Sequence, residues 1–189
     1  MKPKIQLQQI GRRSAGRVFA LVGGMGMLAL ASLLFAGDGS NPKIKIEPLT
    51  SERTTLTDDV SIEVRLQPGN RPEQVIEFED PSHITVFRFT VPPGGIFPWH
   101  THPGLALSGV QQGELAYIYA DDCVERPYPA GTMFVDPGGD NVHTAYNPSE
   151  TEETVVVVTF LNAPADGGLT LPVDEREGAR LDEKCGIAR

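Results

Sequence analysis

The sequence predicts an all-β domain behind an apolar N-terminal helix. Gly and Pro together account for 36 of its 189 residues, a density that suits short strands joined by turns better than a helical bundle. From Ser61 onward apolar runs alternate with turn signals, with no convincing amphipathic helical period among them. About nine such strands indicate a sandwich or barrel, and the length allows one domain with a real core.

The first element is set apart by charge. Residues 1–36 carry Lys2, Lys4, Arg12, Arg13 and Arg17 and no acidic residue, and Val18 to Ala36 is a run of 19 residues without a charge. A basic segment before an apolar one is the layout of an export signal. As a helix the run spans roughly 28 Å, close to a bilayer core. It reads either as a signal cleaved after Ala31 or Ala36, or as an uncleaved anchor with its basic end in the cytoplasm. The rest of the chain then lies outside, in the periplasm or beyond the cell. Arg12-Arg13 also fits a twin-arginine signal. Without these residues the remainder holds 11 basic against 25 acidic residues, a net charge of −14. That excludes nucleic acid as a partner, which needs a basic face.

Residues 37–60 read as a linker, beginning with Gly37-Asp38-Gly39-Ser40-Asn41-Pro42. The barrel is expected over 61–165. Its strands are Ser61–Leu66, Gln74–Glu79, His83–Val91, Ile96–His102, Leu105–Val110, Glu114–Ala120, Thr132–Asp136, Asn141–Tyr146 and Thr154–Leu161. Val, Ile, Phe, Tyr and Thr dominate them. Breakers separate them, among them Pro92-Pro93-Gly94-Gly95, Pro129-Ala130-Gly131 and Pro137-Gly138-Gly139. Thr154–Leu161 is apolar at almost every position, as suits a strand buried on both faces or closing a sheet. Residues 166–189 read as a polar, turn-rich tail over the surface.

Cys123 and Cys185 both follow the export segment. An oxidising compartment allows them to form a disulfide that ties the tail to the domain, worth roughly 4 kcal/mol in the chain-entropy model. Two unrelated free thiols are the alternative, since sequence does not give connectivity.

Three of the four histidines form a pattern. His100 and His102 occupy positions i and i+2 of one strand and so share a face. His143 follows 41 residues later, and a pairing across the barrel brings it to them as a third nitrogen ligand. Such a set suits divalent iron, manganese, nickel, copper or zinc. Buried, hydrogen-bonded core histidines are the competing reading, and His83 is read as structural or exposed. Parity puts Tyr117 and Tyr119 on one face with Leu115, and Trp99 opposite His100. Aromatic residues on an inner face more often fill a small barrel than line a ligand site.

The spacing resembles that of the cupin superfamily. Its first motif runs Gly, five residues, His-x-His, three or four residues, Glu, six residues, Gly; the chain has Gly94, His100-Thr101-His102 and Gly113 in those places. Its second runs Gly, five residues, Pro-x-Gly, two residues, His, three residues, Asn; the chain has Gly131, Pro137-Gly138-Gly139, His143 and Asn147, with one extra residue before His143. The resemblance covers roughly Phe78 to Leu161. It implies a double-stranded β-helix, or jelly-roll barrel, with His100, His102 and His143 as inward-facing ligands of a divalent metal ion. It also implies a small-molecule ligand and a possible homodimer.

One motif residue is missing. The first-motif glutamate position is Ala106, flanked by Leu105 and Leu107, so the usual three-His-one-Glu set is reduced to at most three His. Gln111, Asp136 and Asp140 are nearby in sequence, and nothing in the spacing aims them at the site. Three functional readings follow. The chain is an exported small-molecule or metal-binding barrel, a non-haem dioxygenase-type enzyme acting on a small molecule, or a barrel whose histidines are relics. No catalytic acid, base or nucleophile is identifiable from the sequence.

Overall fold

The computed structural model describes residues 42–50, 54–67, 71–78, 83–164 and 166–188. The expected apolar N-terminal helix lies outside the described residues, and no described helix is long and apolar enough to cross a membrane. The strands are β1 (Lys45–Pro48), β2 (Ile62–Leu66), β3 (Gln74–Phe78), β4 (Thr85–Val91), β5 (Ile96–Thr101), β6 (Ala106–Gln112), β7 (Glu114–Tyr119), β8 (Glu125–Pro129), β9 (Met133–Asp136), β10 (His143–Tyr146), β11 (Thr154–Phe160) and β12 (Leu171–Pro172), and helix α1 spans Glu175–Cys185.

Two five-stranded sheets, ordered β1-β4-β11-β6-β9 and β12-β5-β10-β7-β8, form the jelly roll, and β2 and β3 pair as a separate hairpin. Neighbouring strands are antiparallel. One core cluster joins the inner faces of both sheets. Ala106, Val110, Phe134, Val156, Val158 and Phe160 come from the first, and Leu115, Tyr117, Tyr119 and Ala145 from the second. All nine expected strands form, most with an end trimmed by a residue or two. β11 lies at the centre of its sheet, and its inward residues Thr154, Val156, Val158 and Phe160 are buried while the alternate ones are half-buried.

The outer faces are covered too. The β2–β3 hairpin packs Ile62, Val64 and Ile76 with Leu105, Leu107, Val135 and Leu161. On the other sheet, α1 packs Leu181 against Trp99 and Ile118, and Trp99 Nε1 donates to Asp182 Oδ1 at 2.7 Å. Trp99 thus faces away from His100, as its parity requires. Cys123 is disulfide-bonded to Cys185 at the end of α1.

The structure departs from the sequence reading at four elements. Lys45–Pro48, inside the segment read as linker, pairs with β4 along Lys45↔Thr90 to Pro48↔Phe87. β8 contains Pro127 and Pro129, which read as breakers. A sheet edge tolerates them because a proline there need not donate to a partner strand, and β8 is the edge beside β7. β12 is two residues long, too short to register as a run. The tail contains α1, with Asp174 as N-cap accepting from Glu177 N and left-handed Gly186 at its C-terminal end. Its single buried residue is Leu181, so its apolar stripe is too thin to show the helical period.

Candidate metal centre

β5 and β10 are hydrogen-bonded neighbours, and their register sets His143 directly opposite His100. His102, one residue past the end of β5, keeps the parity of His100. All three rings are buried, and one ligand nitrogen from each lies within 4.8 Å of the other two. His143 Nε2 is 3.0 Å from His100 Nε2. Aromatic rings wall the cluster. Tyr117 stacks on His143 at 4.6 Å between centroids, and Phe160 meets His102 edge-on at 5.1 Å.

Backbone carbonyls set the tautomers. His100 Nδ1 lies 2.6 Å from Pro98 O, His102 Nδ1 2.7 Å from Leu169 O and His143 Nδ1 3.1 Å from Asn141 O. A carbonyl only accepts, so each Nδ1 carries the proton and each Nε2 is left with a lone pair. A metal-ligating imidazole commonly has its other ring nitrogen tied in this way.

Of the three polar residues near the motifs in sequence, Asp136 is brought to the histidines. It is the last residue of β9 and 1% exposed. Its Oδ1 accepts from Gly138 N at 2.8 Å. Its Oδ2 lies 3.2 Å from His143 Nε2 and 3.4 Å from His102 Nε2, and the Tyr117 hydroxyl stands beside the carboxyl. The Asp136-Pro137-Gly138 turn does the aiming, because an Asp side chain can bond the backbone two residues on. Gly138 is required there. Its φ is +66°, and a Cβ would stand 2.2 Å from Gly104 O. The other two polar neighbours, Gln111 and Asp140, are exposed.

Charge follows from burial. Burial, then the neighbouring His143 and His102, hold the His100 imidazole well below its usual range. Burial and His102 bring His143 down to about 3. Burial pushes the Asp136 carboxyl up, opposed by His102 and the Gly138 N–H. Burial and the charge of Asp136 push the Tyr117 phenol well above its usual range. At neutral pH the His143–Asp136 contact is therefore not an ion pair, since the imidazole is uncharged. Imidazole lone pairs and a carboxyl oxygen converge, and such a set suits a cation. Donors about 2.1 Å from one ion sit roughly 3.0 Å (octahedral) to 3.4 Å (tetrahedral) apart, and the close contacts here are 3.0, 3.2 and 3.4 Å.

The cupin domain family matches residues 87–160, the stretch from β4 through β11 that carries the three histidines. Residues 87–160 are a cupin domain. Solved structures similar to this cupin include the polyketide cyclase RemF from Streptomyces resistomycificus, 17% identical over 53% of this chain and 68% of that one, with a TM-score of 0.43. A cupin-like protein from Thermotoga maritima is 23% identical over 52% of this chain and 72% of that one, with a TM-score of 0.41. The DMSP lyase DddQ from Ruegeria pomeroyi is 16% identical over 48% of this chain and 43% of that one, with a TM-score of 0.40. No curated protein matches the sequence significantly.

The remaining motif residues of the cupin are structural. Gly113 has φ +71°, and a Cβ there would stand 2.7 Å from Thr154 Oγ1. Asn147, 1% exposed, donates to Val91 O, Pro92 O and Glu152 O and accepts from Ser149 N, locking the turns at the ends of β4 and β10. His83 stands outside the cluster, and its carbonyl accepts from Ala163 N. Tyr117 and Tyr119 share the inner face with Leu115, as their parity predicts.

Proposed function

We propose that this chain is an exported cupin that holds one divalent first-row metal ion on His100, His102 and His143 and offers the ion's remaining positions to a small molecule. The observation that carries this reading is the convergence of buried Nε2 lone pairs whose Nδ1 protons are committed to backbone carbonyls. When bound, the ion supplies a Lewis-acidic centre for an oxygen or nitrogen donor. The chain's own residues fix the rings and exclude water: the carbonyls of Pro98, Asn141 and Leu169 orient the imidazoles, and Tyr117, Phe97 and Phe160 wall them. Iron, manganese, nickel, copper and zinc all accept such a ligand set.

Elemental analysis of the purified full chain tests this. The expected result is about one divalent metal ion per chain, absent from the His100→Ala/His102→Ala variant. Metal well below one per chain, and unchanged in the variant, would overturn it.

One observation supports the enzyme alternative. The Tyr117 hydroxyl is buried beside Asp136, so a proton donor stands next to any group bound at the ion. Oxygen consumption by the ferrous-loaded chain with a diketone or a thiol supports a non-haem dioxygenase-type cupin. Ligand binding without consumption supports the binder.

Export is part of the proposal. It is supported by the basic-then-apolar order of residues 1–36 and by the Cys123–Cys185 disulfide, a bond that persists in oxidising compartments. The homodimer rests on the family resemblance alone; a solution mass of one chain rejects it.

A further inference from the structure

The residue that stands where the first cupin motif has its glutamate is Ala106, and the β6–β9 register sets Ala106 directly opposite Asp136. Residues opposite one another on antiparallel strands point to the same face, with Cβ atoms about 4.5–5.5 Å apart. Ala106 and Asp136 are both 1% exposed, and Ala106 belongs to the inner core. The carboxylate missing from one strand is thus present on the next, on the same face and at the same level. We propose that Asp136 is the fourth protein ligand of the metal centre, replacing across the β6–β9 pair the glutamate absent from the first motif. This rests on the metal-binding reading above and names a residue outside the three-His set.

Two further observations carry the proposal. Asp136 Oδ1 is committed to Gly138 N, so the carboxylate is held in one orientation. Oδ2 is buried 3.2 and 3.4 Å from two imidazole Nε2 atoms. Burying an ionised carboxylate is costly, and a cation shared with the imidazoles offsets that cost. The fourth ligand also changes the centre's charge. Three neutral imidazoles leave a divalent ion at +2, whereas Asp136 reduces the site to +1, which suits a monoanionic ligand in the open positions.

Cobalt(II) titration of the metal-free full chain, followed by visible absorption, tests this assignment. The wild type is expected to bind about one ion per chain. Asp136→Asn, which keeps shape and removes the charge, is expected to weaken affinity roughly tenfold or more and to change the ligand-field bands of whatever ion still binds. Asp136→Ala/Ala106→Glu, which returns a carboxylate to the motif position, is expected to recover affinity relative to Asp136→Ala; a purely structural aspartate would not be rescued in this way. The bands of Asp136→Asn decide independently of that double variant. Weaker binding with unchanged bands makes Asp136 a positioning residue and overturns the assignment, as does unchanged affinity. A wild type that binds no cobalt overturns the metal centre itself, whereas binding lost only on His100→Ala/His102→Ala leaves the three-His reading standing and rejects Asp136.

Discussion

At the residue scale, the site's chemistry comes from what its groups lack. His100 and His143 are buried and uncharged, and Asp136 is buried beside them. This makes the metal-free domain acid-sensitive. The unfolded imidazole takes a proton near pH 6.5, whereas folded His143 takes one only near pH 3. The unfolded state therefore binds more protons in between, and stability falls as pH drops through that window. Asp136 works the other way. Its raised pKa lets the folded state take a proton first, so its contribution is lost as pH rises. The imidazoles and the carboxyl thus act in opposite directions. His143 alone is expected to cost about 2 kcal/mol of stability at pH 5 relative to neutral pH. Thermal unfolding of the metal-free chain should show a midpoint that falls from pH 7 to pH 5, with a smaller fall in His143→Gln. An equal or larger fall in the variant contradicts this.

The three histidines were legible because two are adjacent in parity and the third carries a motif. Asp136 was not aimed by anything local except its turn. Its parity with Phe134 marks an inward face, but its place opposite Ala106 is a long-range register that no local pattern encodes.

At the element scale, the nine strands were legible because each is an apolar run between breakers. The missed elements are those whose structure depends on a neighbour. β8 holds two prolines at an edge, β12 is a two-residue bridge to β5, and α1 is helical with one buried residue. α1 is held by Leu181, the Trp99–Asp182 bond and the disulfide. Leu181→Ala is expected to cost about 2–4 kcal/mol without lowering metal content, because α1 packs outside the barrel. Denaturant unfolding and elemental analysis of the same sample check both halves. Gly138→Ala should lower both. The clash with Gly104 O shifts the turn that holds Asp136, so metal affinity falls together with stability. Unchanged cobalt affinity in this variant would mean that the turn does not position the site.

At the scale of the whole molecule, the net −9 of the chain sums a +5 segment over residues 1–36 and a −14 remainder. The acidic domain sits behind a segment whose layout is that of an export signal. Fractionation of cells expressing the full chain is expected to find it outside the cytoplasm, with Cys123 and Cys185 unreactive to thiol reagents under denaturing, non-reducing conditions. Full-length protein in the cytoplasm with two free thiols contradicts export.

The barrel encloses a centre in which His143 Nε2 lies 3.0 Å from His100 Nε2 and 3.2 Å from Asp136 Oδ2, and His102 Nε2 lies 3.4 Å from that oxygen. Crystals of the full chain grown with cobalt(II), measured on both sides of the metal absorption edge, test this most directly. One anomalous peak is expected inside the barrel, about 2.0–2.2 Å from His100 Nε2, His102 Nε2, His143 Nε2 and Asp136 Oδ2. An empty barrel, or a peak only on the acidic surface, would contradict it.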